Sequence, residues 1–141
     1  MMRTLSLLLV LAFRAIDSLG AEPDICQSPV TTDIVACARG KLERSRATME
    51  LQLKEIRRIG AERKSDMAAL DAAQTAWQRF VEVDCKAVYE HWIDGTISGP
   101  MAVGCELGHV DARNCELWWT YLEHEITTLT APPCPQPRPS S

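Results

Sequence analysis

The spacing of hydrophobic and polar residues along the chain predicts three helices. Between about residues 31 and 59, apolar side chains recur at steps of three and four, which is the period of one helix face, and the other face is charged. Thr31, Thr32 or Asp33 is expected to cap this helix, and Gly60 to end or weaken it. The apolar stripe consists of Ile34, Ala38, Leu42, Met49, Leu53 and Ile56.

A second amphipathic helix is expected from Met67 to about Trp92, with Ser65 or Asp66 as its N-cap. Its apolar face includes one polar residue, Gln74. Because a buried amide needs hydrogen-bond partners, we expect this side chain to contact a neighbouring helix or the loop that follows. The whole face is made of Leu70, Gln74, Trp77, Val81 and Val88.

Glycine and proline interrupt the helical pattern after the second helix. The segment 94–104 is predicted to be a loop because it contains Gly95, Gly99, Pro100 and Gly104. A third helix is expected to start near Cys105 or Val110 and to run to about Leu129. No strand alternation is present, so the predicted fold class is all-α: a small three-helix bundle, built from an antiparallel helical hairpin plus a third helix.

The first 21 residues have the layout of a secretory signal peptide. Arg3 precedes an apolar core at 5–13, and small residues favour cleavage near Gly20 or Ala21. A membrane anchor is the alternative, but the apolar run is shorter than the roughly 20 residues that a spanning helix needs, so no stable membrane insertion is expected. We therefore predict a periplasmic or secreted protein, divided into a signal peptide (1–21), a helical domain (22–130) and a proline-rich tail (131–141).

Six cysteines in the mature part indicate a disulfide framework, since an even number in a short exported chain is typical of stapled domains. Metal binding is the alternative. No C-x-x-C occurs and the histidines show no ligand spacing with the cysteines, so no metal or other cofactor is expected. The pairing stays open, although four cysteines should gather at one end of the bundle: Cys26, Cys37, Cys85 and Cys105. The remaining Cys115 can pair with Cys134, or Cys134 can pair with a second chain.

The net charge of the chain is −4. Removing Arg3, Arg14 and Asp17 with the signal peptide changes 15 basic and 19 acidic residues to 13 and 18, a net charge of −5. An acidic surface argues against binding to nucleic acids or anionic membranes, and it favours a cationic partner.

The segment "LDAAQTAWQRFVEVDC", the glycine-containing loop after it and "CELGHVDARNCEL" resemble the N-terminal domain of LprI-type lysozyme inhibitors. The resemblance extends from about Cys26 to Leu122, and Cys26 and Cys37 match the paired N-terminal cysteines of that family. Val81 stands where the family usually has arginine, and Asp94-Gly95 stands where it usually has two glycines. The matching motif positions are Leu70, Ala73, Gln74, Trp77, Phe80, Glu82, Cys85, Gly95, Thr96, Cys105 and Arg113.

The resemblance implies an exported, non-catalytic protein-binding domain whose partner is lysozyme. An enzyme is the alternative class, but Glu82 and Asp84 are two residues apart and point to different faces of a helix. His109 lies four residues after Cys105, yet an exported thiol among five others is expected to be oxidised. We therefore expect no catalytic site.

The stretch from Ile93 to Val103 is the candidate binding surface, because glycine-rich loops on rigid scaffolds commonly carry recognition. Its candidate contact residues are Asp94, Gly95, Thr96, Ile97 and Met101. The simpler interpretation is that this loop only joins two helices. A structural or assembly role is a further alternative: Trp118 and Trp119 are adjacent, so we expect one of them, together with Tyr121 or Leu122, to be exposed and to support a homodimer.

Overall fold

The computed structural model describes residues 24–125 and Leu129. This part of the chain forms three long helices, α1 (Thr31–Ile59), α2 (Lys64–His91) and α3 (Ser98–Leu117). A short 3-10 helix, Ile25–Gln27, precedes α1, and a π-helical segment, Trp118–Leu122, follows α3. The described residues contain no strand, which confirms the all-α prediction. None of the described helices combines the length and the apolar composition that crossing a membrane requires.

Helix α3 runs parallel to α1. Close to the start of both helices, a Cβ atom placed on Gly99 would lie 3.7 Å from Cγ2 of Val35, so the two helices are in contact there. Farther along, the hydroxyl of Ser45 donates a hydrogen bond to Asp111, and the amide of Asn114 donates to the carbonyl oxygen of Ser45 at 2.9 Å. The contacts advance in the same direction along both helices.

Helix α2 runs antiparallel to α3. The disulfide between Cys85 and Cys105 joins the C-terminal half of α2 to α3. The contact between Gln74 and Arg113 joins an earlier part of α2 to a later part of α3. Because α1 is parallel to α3, α2 is antiparallel to α1 as well, which confirms the predicted antiparallel hairpin of the first two helices with α3 as the third helix.

The turn between α1 and α2 depends on Gly60. Helix α1 ends at Ile59 and Gly60 is its C-cap, as the sequence predicts. A Cβ atom on this glycine would lie 2.5 Å from Cε of Met67 and 3.1 Å from the carbonyl oxygen of Ile56. These distances are shorter than normal contacts, so the thioether of Met67 occupies the space that a larger side chain at this position would need.

Two hydrophobic clusters hold the helices together. The first lies toward the α1–α2 turn and the second toward the α2–α3 turn, and Trp77 packs against both. The first cluster contains Met49, Leu53, Ile56, Leu70, Leu117 and Leu122, and the second contains Leu42, Val103 and Val110. The predicted apolar stripe of α1 supplies Leu42, Met49, Leu53 and Ile56.

The prediction of a loop over residues 94–104 is wrong in its second half, because α3 begins at Ser98. Pro100 is the third residue of α3, where a helix has no acceptor for the backbone N–H, so its missing N–H is not a loss. Val103 is buried in the second cluster and so favours the helical conformation. The packing of Val103 outweighs the roughly 1 kcal/mol by which a glycine lowers helix stability.

The other end of α3 also differs from the prediction. The α-helix ends at Leu117 instead of near Leu129, and the chain continues in the π-helical segment, where the N–H of Glu123 donates to the carbonyl oxygen of Trp118 at 2.9 Å. Trp118 and Trp119 are both half-buried, so the predicted exposed tryptophan is wrong. Tyr121 is exposed, as one of the two predicted alternatives, whereas Leu122 is buried. The wider π turn changes the angle between successive side chains, which lets two adjacent tryptophans be partly covered.

The predicted N-caps are also wrong. Helix α1 is preceded by Val30 and α2 by Arg63, and neither residue makes a side-chain capping bond. Ser28 organises the start of α1 instead. Its hydroxyl donates to the carboxylate of Asp33 at 2.6 Å and accepts a bond from the N–H of Val30 at 3.2 Å.

The disulfides confirm the predicted framework. Cys26 is bonded to Cys37, which ties the short 3-10 helix to α1, and Cys85 is bonded to Cys105. Cys115 is also disulfide-bonded. Cys134 lies outside the described residues, as do the predicted signal peptide and proline-rich tail, so a Cys115–Cys134 bond stays a prediction.

Candidate functional site

The turn between α2 and α3 presents apolar side chains to solvent. We call Trp92, Ile93, Asp94, Ile97 and Met101 the tip. The exposed fractions are 38% for Trp92, 57% for Ile93, 42% for Ile97 and 40% for Met101, and Asp94 is exposed as well. These residues lie within ten positions of one another, so the tip is one short, continuous stretch of chain that has apolar and acidic groups together.

The five candidate contact residues of the sequence analysis all belong to this region. Asp94, Gly95 and Thr96 are exposed in the turn itself. Ile97 is the N-cap of α3 and Met101 lies in the first turn of that helix. The structure therefore brings the candidates together, but on a tight turn and a helix start instead of on a long loop.

Further exposed apolar residues lie at the same end of the bundle. Of the twelve large hydrophobic residues that are exposed in the described part of the chain, eight belong to the start of α1, the end of α2 or the tip. Single exposed apolar residues are common, whereas a concentration at one end is typical of a surface that contacts another molecule. The four outside the tip are Ile25, Val30, Ile34 and Tyr89.

Backbone hydrogen bonds keep the tip ordered. The N–H of Gly95 donates to the carbonyl oxygen of Trp92 at 2.9 Å, and the N–H of Ser98 donates to the carbonyl oxygen of Gly95 at 3.3 Å. The Cys85–Cys105 disulfide closes the two helices on either side of the turn. The exposed side chains are thus carried by a fixed backbone.

The motif residues of α2 lie mainly inside the bundle. Leu70 belongs to the first core cluster and Trp77 packs against both clusters. Gln74 is 5% exposed, and its amide oxygen accepts a hydrogen bond from Nε of Arg113 at 3.2 Å, which confirms that the amide contacts a neighbouring helix. Ala73, Phe80 and Glu82 are the exceptions, because these three residues are exposed.

A pair of titratable groups beside the second disulfide was not predicted from the sequence. Nε2 of His109 lies 2.8 Å from Oδ2 of Asp84, and the ring of Phe80 packs edge-on against the imidazole with centroids 5.2 Å apart. Because Asp84 and His109 are 25 positions apart on different helices, their spacing carries no local signal. The antiparallel register of Cys85 and Cys105 is the feature that would have revealed the pair.

A groove of about 370 Å³ lies between α1 and α2, with α3 beneath it. Its floor is apolar and includes Trp77, Val81 and Val110. Its lining also contains charged residues, and Nη2 of Arg46 on α1 forms an ion pair of 2.7 Å with Glu106 on α3. Helical spacing predicted Val81 as a core residue, and it is 6% exposed, but the groove above it could not be predicted without the packing of the three helices.

A sequence profile of the family described as lysozyme inhibitor LprI matches residues 26–117. The chain belongs to the LprI family. The matched region begins at the first cysteine of the Cys26–Cys37 disulfide and ends at the last residue of α3. It therefore contains the three helices, both described disulfides and the tip.

Comparison with curated proteins and with solved structures found no match. The description of the matching family names a lysozyme inhibitor.

The described part of this LprI domain offers no activated nucleophile of the type considered in the sequence analysis. None of its cysteines is free, and the sulfur of Cys105, four residues before His109, is bonded to Cys85. Glu55 is the one buried carboxylate among the described residues, and it accepts two hydrogen bonds of 2.7 Å from Arg58. The hydrogen bond and the charge of Glu55 raise the pKa of Arg58.

Proposed function

We propose that this protein inhibits lysozyme by inserting the tip into the substrate-binding cleft of the enzyme. The exposure of Ile93, Ile97 and Met101 on one ordered turn is the observation that carries the proposal. Aromatic and aliphatic side chains that project from a fixed backbone are the usual anchors of protein–protein contacts. Membership in the LprI family supports lysozyme as the partner.

The order of the tip supports tight binding. A protein that has already fixed its contact residues loses less conformational entropy on association than one that must order a loop. The backbone bonds of the turn and the Cys85–Cys105 disulfide supply this order before the partner arrives. The tip differs in this respect from a glycine-rich loop that merely joins two helices.

The charge of the protein also supports a basic partner. The mature chain is predicted to have a net charge of −5, and Asp94 places one exposed carboxylate within the tip. Opposite net charges increase the rate of encounter and orient the two molecules. Lysozyme is strongly basic, so the acidic surface favours approach and the apolar side chains favour retention.

The test is inhibition of cell-wall hydrolysis by lysozyme at low salt, with the oxidised protein in excess. The double substitution Ile93→Ser with Ile97→Ser removes two apolar contacts from the tip, and we expect the half-inhibitory concentration to rise at least about tenfold. Val83→Ser and Leu51→Ser are matched controls, because these residues are 53% and 55% exposed on the sides of α2 and α1. The controls should inhibit like the unchanged protein.

Two outcomes would contradict the proposal. If the unchanged protein leaves lysozyme activity unaltered, the partner is wrong. If it inhibits but the tip variant inhibits equally well, the surface is wrong. Self-association through the tip is the alternative use of the same residues, and light scattering distinguishes it, since a monomer mass for the unchanged protein excludes a stable homodimer.

A further inference from the structure

Four side chains with metal-binding atoms converge between α2 and α3. They are Asp84 and Cys85 from α2, and Cys105 and His109 from α3, and one potential ligand atom from each lies within 4.8 Å of the other three. Nε2 of His109 is 2.8 Å from Oδ2 of Asp84, and Sγ of Cys105 is 3.8 Å from the same oxygen. In the oxidised protein the two sulfurs are bonded to each other and are not available as thiolates.

We propose that, once a dithiol reductant has opened the Cys85–Cys105 disulfide, these four side chains bind Zn²⁺. In the reduction, the dithiol loses two electrons and two protons and becomes a cyclic disulfide, while the two cysteine sulfurs become thiols. Binding of Zn²⁺ then releases the two thiol protons to solvent and leaves two thiolate ligands. The site is thus an alternative to the disulfide, with the same two sulfurs joined through a metal ion.

The ligand set favours zinc over harder cations. Two thiolates, an imidazole nitrogen and a carboxylate oxygen make a tetrahedral set, with bonds to Zn²⁺ of about 2.3 Å for sulfur and about 2.0–2.2 Å for nitrogen and oxygen. Thiolates are soft ligands, which calcium and magnesium do not favour. In such a tetrahedron neighbouring ligand atoms lie roughly 3.3–3.8 Å apart, a spacing that follows from those bond lengths.

The existing geometry requires shifts of roughly 1–2 Å to reach this spacing. Cys105 and His109 are four residues apart on α3 and therefore project from the same face of the helix. The bonded sulfurs must separate, and the carboxylate and imidazole of the hydrogen-bonded pair must move apart slightly to admit the ion. The antiparallel packing of α2 on α3 already places the four residues at the same position along the axes of the two helices.

The surroundings of the cluster suit a metal site. The side chains of Asp84 and His109 are 45% and 28% exposed, so an ion can reach them from solvent. Cys85 is 4% exposed and faces the interior. The ring of Phe80 packs edge-on against the imidazole of His109.

The other described disulfide provides an internal control. Within residues 24–125, the cluster of Asp84, Cys85, Cys105 and His109 is the one group of three or more histidine, cysteine or carboxylate side chains close enough to hold an ion. Among the same residues, Cys26 and Cys37 do not belong to any such group. Reduction alone is therefore not sufficient for the site, because the position of the thiols beside His109 and Asp84 is required.

The experiment uses the protein with Cys26, Cys37, Cys115 and Cys134 replaced by serine, reduced by a dithiol that is then removed without oxygen. Titration with Co²⁺, a spectroscopic substitute for Zn²⁺, should give a thiolate-to-cobalt charge-transfer band that saturates at one ion per chain, and Zn²⁺ should displace it. We expect oxidised protein to bind at least about 100-fold more weakly, because it offers no thiolates. His109→Ala and Asp84→Asn should each weaken binding, His109→Ala by about tenfold or more.

Folding of the four-serine variant is checked by circular dichroism. If it does not fold, the natural chain is reduced and compared with its own His109→Ala and Cys85→Ser/Cys105→Ser variants. Because an unfolded chain could also bind metal through Cys105 and the nearby His109, circular dichroism must show that the reduced, metal-bound chain keeps its helices. The proposal is overturned if the charge-transfer band is absent, if it survives Cys85→Ser/Cys105→Ser, or if His109→Ala leaves the affinity unchanged.

Discussion

Gln74 on α2 accepts a hydrogen bond from Nε of Arg113 on α3, across 3.2 Å. The amide nitrogen of the same glutamine lies 3.5 Å from the sulfur of Met49 on α1. One side chain therefore contacts both neighbouring helices at a point where it is 5% exposed. Two residues of the LprI motif thus meet in a partly buried contact between α2 and α3, which supports a structural role for this part of the motif.

Loss of Arg113 should destabilise the fold without altering the tip. Arg113→Met leaves the buried oxygen of Gln74 without its donor, which we expect to lower the free energy of unfolding by about 1–3 kcal/mol. Urea denaturation followed by circular dichroism measures the change. Inhibition of lysozyme, measured where the variant is folded, should remain as in the unchanged protein.

Two further variants show whether the cause is the Gln74–Arg113 bond. Arg79→Met removes an exposed i,i+3 ion pair with Glu82 and should cost less than about 1 kcal/mol. Gln74→Met combined with Arg113→Met removes both partners, so the double variant should be more stable than the sum of the single losses implies. Strict additivity would show that the two residues are not coupled.

Gln52 should be replaceable by an apolar residue with a gain in stability. It is 1% exposed, and neither its amide oxygen nor its amide nitrogen has a hydrogen-bond partner among the described residues. Gln52→Met keeps a similar shape and removes the unsatisfied groups, so we expect the free energy of unfolding to rise by about 1 kcal/mol. The melting temperature should then rise by about 4–8 °C.

The control for this substitution is Gln78→Met, since Gln78 is exposed on α2. Its amide is already hydrated, so little change is expected. An unchanged or lower melting temperature for Gln52→Met would mean that the amide has partners in solution.

The sequence was sufficient to predict α1, because its signals are local. The apolar stripe repeats at helical spacing, and Gly60 directly follows the last residue of the helix. The start of α3 was mispredicted because glycine and proline argue for a loop, whereas the burial of Val103 is a property of the packed bundle. The local amino-acid composition therefore gives no information about this burial.

The candidate site also has one part that the sequence predicts and one part that it does not. The tip was located because its residues are consecutive, and the turn keeps them together. Asp84 and His109 meet only because α2 and α3 pack antiparallel with Cys85 opposite Cys105. Six cysteines allow fifteen pairings, so the register that brings the pair together could not be deduced before the pairing was known.

The two described disulfides should contribute differently to stability. Replacing Cys85 and Cys105 by serine should lower the free energy of unfolding by about 3 kcal/mol in the chain-entropy description of a closed loop. The Cys26–Cys37 bond spans 11 positions instead of 20, so the same description gives it a contribution to the free energy of unfolding that is smaller by about 0.5 kcal/mol. The 3-10 helix at 25–27 also buries no residue, so it can unfold without the bundle.

Thermal unfolding of the two paired serine variants measures this difference. We expect a smaller fall in melting temperature for Cys26→Ser/Cys37→Ser, with faster amide hydrogen exchange confined to the start of α1. An equal or larger fall than for Cys85→Ser/Cys105→Ser would show that the short 3-10 helix is a cooperative part of the bundle.

Salt should separate the electrostatic and apolar contributions to lysozyme binding. Raising the ionic strength screens the attraction between an acidic protein and a basic enzyme, so the association rate should fall several-fold to about tenfold between low and physiological salt. Asp94→Asn should lower the association rate at low salt and reduce its salt dependence. Ile93→Ser with Ile97→Ser should instead raise the dissociation rate, because apolar contacts form after encounter.

Glu62→Gln is the matched control for Asp94→Asn, since it removes the same charge from the exposed turn between α1 and α2. Binding kinetics on a surface biosensor give the association rate and the dissociation rate. If Asp94→Asn and Glu62→Gln lower the association rate equally, net charge alone steers the encounter and the tip is not oriented toward the enzyme.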